Sequence, residues 1–428
     1  MDLKALMLKA GSWLVDGFGC MFYLLPPNQL ALEKGEAVPN YLATHGIAMF
    51  VVLISTELAI GYACSKKCVY RFNDFIGSLS SGTCQQLVGT LTSRLLNPKG
   101  SFTVVQSKYS LMTLNVKARP IQSWLLLMMG VDLAYYWAHR CLHVFHLGWA
   151  AHSVHHSGED YNLPTALRQG ALQPLMTWIF SLPLALFFPA ESILVHLQLN
   201  TLYQFWIHTE FCGRLGWLEF LFNTPFHHRV HHRPPGNCNY AGVLIVWDRL
   251  FKTYSTETER LDHYGLAQPV RSFNVWELNL QHWRKIAGSS RGFQGVGLWR
   301  LIRASLGHRA HHPMRFSPQA LLDPFDPMKN GSWALPKEAT GKYQGADLTL
   351  LGKTAALTVF LGSFLCLQRA ERKNVELMQL CCNVGAGLLW LGALGDMLDQ
   401  GTCNRSLMLK MFTAASVTLG DFALTAGV

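Results

Sequence analysis

The chain has 428 residues, of which 50% are hydrophobic and only 14% are Asp, Glu, Lys or Arg. Soluble globular chains carry about 25% charged residues, so this one lacks the polar surface that a soluble protein of two or three domains needs, and its mean hydropathy of +0.16 agrees. A formal net charge of +10 does not make it a nucleic-acid binder, because the basic residues are dispersed among apolar and aromatic ones without a zinc-finger, RNA-recognition or basic-zipper pattern; the composition is that of an all-α, polytopic membrane protein.

Taken in order, residues 1–40 form an N-terminal interfacial segment. Lys4 and Lys9 precede an apolar run from Gly11 to Leu25 that contains Asp16 and stops at Pro26 and Pro27, which is the form of an anchoring helix rather than of a signal peptide. Residues 41–260 are predicted to make a membrane-embedded catalytic domain. It opens with Tyr41 to Cys64, 24 residues with Glu57 as the one charge, enough to cross a bilayer core of about 20 helical residues. Phe75 to Leu91 reads as a small-residue helix in which Gly77, Gly82 and Gly89 permit close contact. Ile121 to Ala138, interrupted only by Asp132, is the second expected span and runs directly into His139. Ala171 to Ala190 is uncharged but broken by Pro174, Pro183 and Pro189, and with Leu194 to Ile207 it suggests a hairpin that returns to the same face. Asn239 to Tyr254 is expected to cap the domain against the membrane surface. A polar cytosolic connector, 261–345, and C-terminal membrane helices, 346–428, follow; the latter contain apolar runs at Thr354 to Leu367, Leu377 to Leu394 and Leu407 to Leu424. The eleven cysteines include no C-x-x-C pair, and Cys141 and Cys238 fall on the face assigned to the reducing cytosol, where disulfides are disfavoured.

The chemistry is carried by histidine. Twelve of the 18 histidines lie between His139 and His232, mostly in spaced sets: His139 with His143, His152 with His155 and His156, and His228 with His231 and His232. Positions i, i+3 and i+4 share one helical face, so each set aims its rings at one region. Eight imidazoles are too many for one tetrahedral zinc and fit two metals of higher coordination number, for which imidazole and iron are compatible. His208, emerging at the end of an apolar stretch as His139 does, is a ninth candidate ligand. Isolated His45, His196, His263 and His282 read as hydrogen-bonded core residues, and His308, His311 and His312, without a long apolar helix beside them, as a surface basic cluster. Metal-bound histidines usually donate their second N–H to an acceptor, which makes Asp132, Glu159, Asp160 and Glu210 candidate outer partners together with His227; Arg168 would hold a lipid headgroup or one of the acids. Arg214, Arg229, Arg233, Arg249 and Lys252 crowd the last set, and by the positive-inside tendency this places the histidine-rich di-metal helical core at the cytosolic face.

The pattern H-R-C-L-H (139–143), H-S-V-H-H (152–156) and H-R-V-H-H (228–232) resembles the membrane-bound fatty acid hydroxylase superfamily. The longer phrases V-D-L-A-Y-Y-W-A-H-R, H-H-S-G-E-D-Y-N-L-P-T-A-L-R-Q, L-Y-Q-F-W-I-H-T-E, N-T-P-F-H-H-R-V-H-H and N-Y-A-G-V-L-I-V-W-D are similar to its pterin-dependent, ether-lipid branch over roughly residues 40–260. The resemblance implies a multi-pass endoplasmic-reticulum enzyme that uses two irons, O2 and tetrahydrobiopterin to hydroxylate the ether-linked carbon of alkylglycerols and lyso-alkyl phospholipids. The resulting hemiacetal breaks down to a fatty aldehyde and a glycerol derivative, and a pterin-regenerating system is the implied partner. Val144 stands where that branch commonly has an acid. The competing readings are a fatty acid or sterol hydroxylase or desaturase fed by cytochrome b5, for which no internal haem-binding H-P-G-G segment is present, and a metal-free membrane scaffold.

Overall fold

Apolar runs without strand-like alternation give helices throughout. A computed structural model describes residues 3–65, 70–234, 237–256, 264–266, 268–290, 342–372, 375–401 and 409–417. In order the main elements are α1 (Leu3–Met21), α2 (Ile47–Ser65), α3 (Phe72–Leu96), α4 (Pro98–Tyr109), α5 (Pro120–Val144), α6 (His146–His152), α7 (Ala190–Trp206), α8 (Pro225–His231), α9 (Val275–Ser290), α10 (Leu350–Ala370) and α11 (Leu377–Gln400). Among the described residues the only β contact is an isolated bridge between Phe222 and Leu244.

Local sequence explains several boundaries. The first helix ends at Met21, ahead of Tyr23 at φ 57°, and Pro27 starts a separate turn, Pro27–Leu30. Asn97, at φ 43°, closes α3 and opens α4, accepting a hydrogen bond from the Gly100 N–H at 3.0 Å through its side chain, with Pro98 in the first helical position; proline there loses nothing, since that N–H has no helical partner. The end of α1 is buried rather than purely interfacial: Cys20 and Met21 share a core with Leu25, Leu30, Leu199 and Leu202.

Among the described residues, three helices are long and apolar enough to cross a membrane, Leu42–Cys64, Leu350–Ala370 and Leu377–Gln400, so the chain is a multi-span membrane protein. The expected second span, Ile121 to Ala138, is helical within α5 but is not one of the three. Its polar inner stripe is the reason: Asp132, Tyr136 and His139 are buried, whereas Ile121, Leu125, Leu126 and Met129 remain exposed. The charge-free stretch after it forms the short helix Gln173–Thr177 and then a 3-10 segment, Trp178–Leu186, with Pro183 inside. It leads into α7, which packs against the Trp178–Leu186 segment.

Helices α10 and α11 pair with each other and both pack on α3, sharing Leu87, Leu367, Leu380 and Leu391 in one core. Of the three glycines singled out on α3, Gly82 makes the tightest approach: a Cβ there would lie 2.6 Å from the Leu167 carbonyl oxygen, while Gly89 faces open space. Helix α3 is thereby pressed against the turn that precedes Arg168. The stretch Asn239 to Tyr254 is not a surface cap. Asn239, Tyr240, Ala241, Val243, Leu244, Ile245 and Asp248 are buried, because the backbone there is claimed by interior carboxylates described below. His263, the His308 to His312 cluster and most of the connector lie outside the described residues, as does much of the last apolar run.

Candidate metal centre

Helical spacing and chain turns bring all nine candidate histidines into two adjoining groups. His139, His143, His152, His156 and His231 form one, and His155, His208, His228 and His232 form the other; within each, one ring nitrogen per residue lies within 4.8 Å of all the rest. His139 and His143 come from the last two turns of α5, His152 ends α6, and His155 and His156 sit on the 3-10 turn His155–Ser157. His208 lies just past α7, while His228 and His231 lie on α8 with His232 capping it. The two H-H dyads are each divided between the groups. Successive residues on a helical turn point about 100° apart, so a dyad serves two centres rather than chelating one.

All nine are at most 3% exposed. Burial holds His152, His156, His208, His228, His231 and His232 well below the ordinary imidazole range and His155 at about 4, with neighbouring imidazoles pushing most of them further down. Neutral rings keep the lone pair that a metal needs.

The tautomers follow from the outer contacts. His155 Nδ1 lies 3.0 Å from the Arg168 carbonyl oxygen, the shorter of its two contacts, and His208 Nδ1 lies 2.8 Å from that of Gln204. A carbonyl only accepts, so both Nδ1 atoms carry hydrogen and both Nε2 atoms carry bare lone pairs. Those two Nε2 atoms are 3.2 Å apart. Two facing lone pairs cannot hydrogen-bond, and protonation is opposed by burial; a shared cation resolves the contact. In the five-histidine group His139 and His152 repeat the arrangement: His139 Nδ1 donates to the Tyr240 carbonyl at 2.8 Å, His152 Nδ1 to Gln173 Oε1 at 2.8 Å, and their Nε2 atoms are 3.0 Å apart. Nε2 of His231 and of His232 is buried with no hydrogen-bond partner among the described residues, although His231 Nδ1 donates to the Cys238 carbonyl at 2.7 Å. The residues present fit two metal ions.

The outer acceptors differ from the acids expected. Glu159 accepts from the Tyr343 N–H at 2.5 Å, Asp160 from Arg71 at 2.7 Å and Lys342 at 2.8 Å, and Glu210 from the Tyr264 hydroxyl at 2.9 Å. Asp132 accepts from the N–H groups of Val243 and Leu244, each at 2.8 Å, and from Asn200 and Trp247. None of these bonds involves a ligand-set ring. His227 points away, toward Thr224 and Tyr254. Arg168 pairs with neither Glu159 nor Asp160: its buried guanidinium pairs with Asp74 at 2.7 Å. His196 is buried as expected, but both its ring nitrogens lack a partner among the described residues, and His282 lies 3.0 Å from His146.

Gln173, Tyr240, Trp149 and Tyr161 are the residues that spacing does not disclose. Tyr240 and Trp149 each stand 5.2 Å from the His143 ring, and Tyr161 stacks 5.8 Å from that of His208. Gln173 begins a short helix as an ordinary polar residue, and nothing in its neighbours marks it as a ring acceptor. Replacing it with leucine is expected to weaken metal binding at the five-histidine group by about 10–100-fold, the usual cost of losing an outer-shell partner, measured by competition with a metal chelator.

The fold and these two groups define an all-helical, multi-span membrane protein built around buried histidine clusters suited to two metals. The fatty acid hydroxylase family matches residues 124–253, the stretch that holds all nine histidines. The chain is 40% identical over 270 residues to the alkylglycerol monooxygenases of Xenopus tropicalis and of Homo sapiens, and 39% identical over 271 residues to that of Danio rerio. The matched region covers 62–63% of this chain and 59% of each relative. No solved structure matches the chain. Over residues 124–253 the chain is therefore similar to the fatty acid hydroxylase family, and over a longer stretch to the alkylglycerol monooxygenases.

Proposed function

We propose that this protein is a di-iron, tetrahydrobiopterin-dependent monooxygenase that hydroxylates the ether-linked carbon of alkylglycerols and lyso-alkyl phospholipids. The observation that carries the metal part is the bare Nε2 pair of His155 and His208 at 3.2 Å, with each Nδ1 committed to a backbone carbonyl. The relatives named above support the ether-lipid part. We assign the nine histidines as ligands, nine for about eight positions, so that one of them acts from the outer shell.

The iron pair, with O2, supplies the oxidising power that acid–base residues lack for an unactivated C–H bond. Overall, one oxygen atom enters the C–H bond beside the ether oxygen and the other leaves as water, with the pterin giving two electrons. The hemiacetal then releases fatty aldehyde and the free glycerol hydroxyl. The chain's own contribution is to hold neutral rings in one tautomer through the carbonyls of Arg168, Gln204, Tyr240 and Cys238, and to exclude water with Trp149, Tyr161 and Tyr240. The proposed setting is the endoplasmic-reticulum membrane, with the histidine face in the cytosol beside the basic cluster and within reach of a pterin-regenerating system. Exposed Arg214, Arg249 and Lys252 support that orientation.

Membranes containing the protein are expected to convert an alkylglycerol to fatty aldehyde with O2 and tetrahydrobiopterin, and to stop when the pterin is omitted. Equal turnover on NADH-driven cytochrome b5 alone, or oxidation of a sterol with alkylglycerol ignored, would overturn the assignment.

A further inference from the structure

Each histidine group has its own buried carboxylate behind it. Glu57, the charge inside the spanning helix Leu42–Cys64, is 4% exposed. Its Oε1 accepts from the Thr209 hydroxyl, and its Oε2 accepts from the Tyr70 hydroxyl and from the Leu163 N–H at 2.9 Å. Thr209 directly follows His208. Leu163 begins the 3-10 turn Leu163–Leu167, and the next residue is Arg168, whose carbonyl receives the His155 Nδ1–H. One carboxylate therefore ties down both chain segments that bring His155 and His208 face to face.

Asp248 stands in the same relation to the other group. Its Oδ1 accepts from the Tyr240 N–H at 2.8 Å and the Thr253 hydroxyl at 2.6 Å, and its Oδ2 accepts from the Ala241 N–H at 2.8 Å. The Tyr240 carbonyl is the acceptor that fixes His139. A buried carboxylate is costly unless its lone pairs are satisfied. Both acids meet that need with hydroxyl and amide donors, and neither has an ion-pair partner among the described residues. What each provides is an acceptor reached from several directions at once, which neither a hydroxyl nor an amide offers as strongly.

We propose that Glu57 and Asp248 are positioning residues dedicated one to each metal, Glu57 setting occupancy of the four-histidine group and Asp248 that of the five-histidine group. This rests on the two-metal reading above. The two centres are then separable: each can be emptied through its own carboxylate without touching a ligand.

The test uses the full chain, purified and reconstituted with ferrous iron enriched for Mössbauer spectroscopy, with iron per chain measured alongside. His208→Ala and His139→Ala identify which signal belongs to which group. Glu57→Gln is expected to weaken iron binding at the four-histidine group by about 10–100-fold, as outer-shell losses do, with the five-histidine signal retained; Asp248→Asn is expected to do the reverse. If either acid variant accumulates poorly, Thr209→Val and Thr253→Val remove one donor to each carboxylate and are expected to give smaller losses of the same selectivity. Loss of both signals together, as a purely structural carboxylate would cause, overturns the proposal, and so does unchanged iron at both groups. A wild-type chain holding fewer than two irons is a failure of the two-metal reading itself, seen before any variant is compared, and the proposal falls with it.

Discussion

Replacing His155 with alanine is expected to abolish oxygenase activity and to remove metal from the four-histidine group, a larger effect than the ~10–100-fold cost of an outer-shell change. His155 is 3% exposed, its Nδ1 is anchored on the Arg168 carbonyl, and its Nε2 faces that of His208 at 3.2 Å. Alanine leaves His208, His228 and His232 in place but takes away one of the two lone pairs that the shared cation satisfies. The chain should still fold, since the ring's shortest contact is to the backbone of Arg168, which the Arg168–Asp74 pair holds independently. Metal analysis and the alkylglycerol assay on the same sample read both effects. A metal-free scaffold makes the opposite forecast, with every property intact.

The second large effect concerns stability. Arg168 and Asp74 form a buried pair, with side chains 2% and 5% exposed and 2.7 Å between them. Arg168 also reaches Ser78 and Ser157. Removing Asp74 strands Arg168 as a buried charge, which costs about 3–5 kcal/mol, while removing Arg168 leaves Asp74 with only the longer 3.7 Å pairing to Arg71. Arg168→Met and Asp74→Asn are each expected to lower the thermal midpoint in detergent markedly. The double variant Arg168→Met with Asp74→Leu should recover much of the loss, because a well-packed apolar pair often replaces a buried ion pair at little cost. Equal midpoints for the single variants and the wild type would show that the pair carries no such weight.

The contrast between these two sites marks where sequence reading succeeds. The eight histidines gathered by spacing are gathered in space as well, because i, i+3 and i+4 geometry is a property of the helix itself; His208 joins them from the end of a separate apolar stretch. Division of each H-H dyad between two groups follows from the same geometry. The outer acceptors were not legible in this way. Glu159, Asp160 and Glu210 lie near ligands in sequence but are drawn into contacts with Tyr343, Arg71, Lys342 and Tyr264, while the rings of His139, His155, His208 and His231 are fixed by main-chain carbonyls, which every residue possesses and no residue type announces. Asp74 was hidden for a related reason: its partner is 94 residues away, and only the packing of α3 against the turn before Arg168 brings them together. Hydropathy likewise finds α2, α10 and α11, and α5 is not among them because the polar residues of its inward face, Asp132 and Tyr136 included, dilute its apolar ones.

The central claim is that the facing imidazoles hold two irons, and metal content of the purified, iron-reconstituted chain, measured with its activity, tests it most directly. Two irons per chain are expected, with activity rising in proportion to their incorporation. A fully active chain carrying one zinc and no iron, or one that folds and turns over substrate with no metal bound, would contradict it.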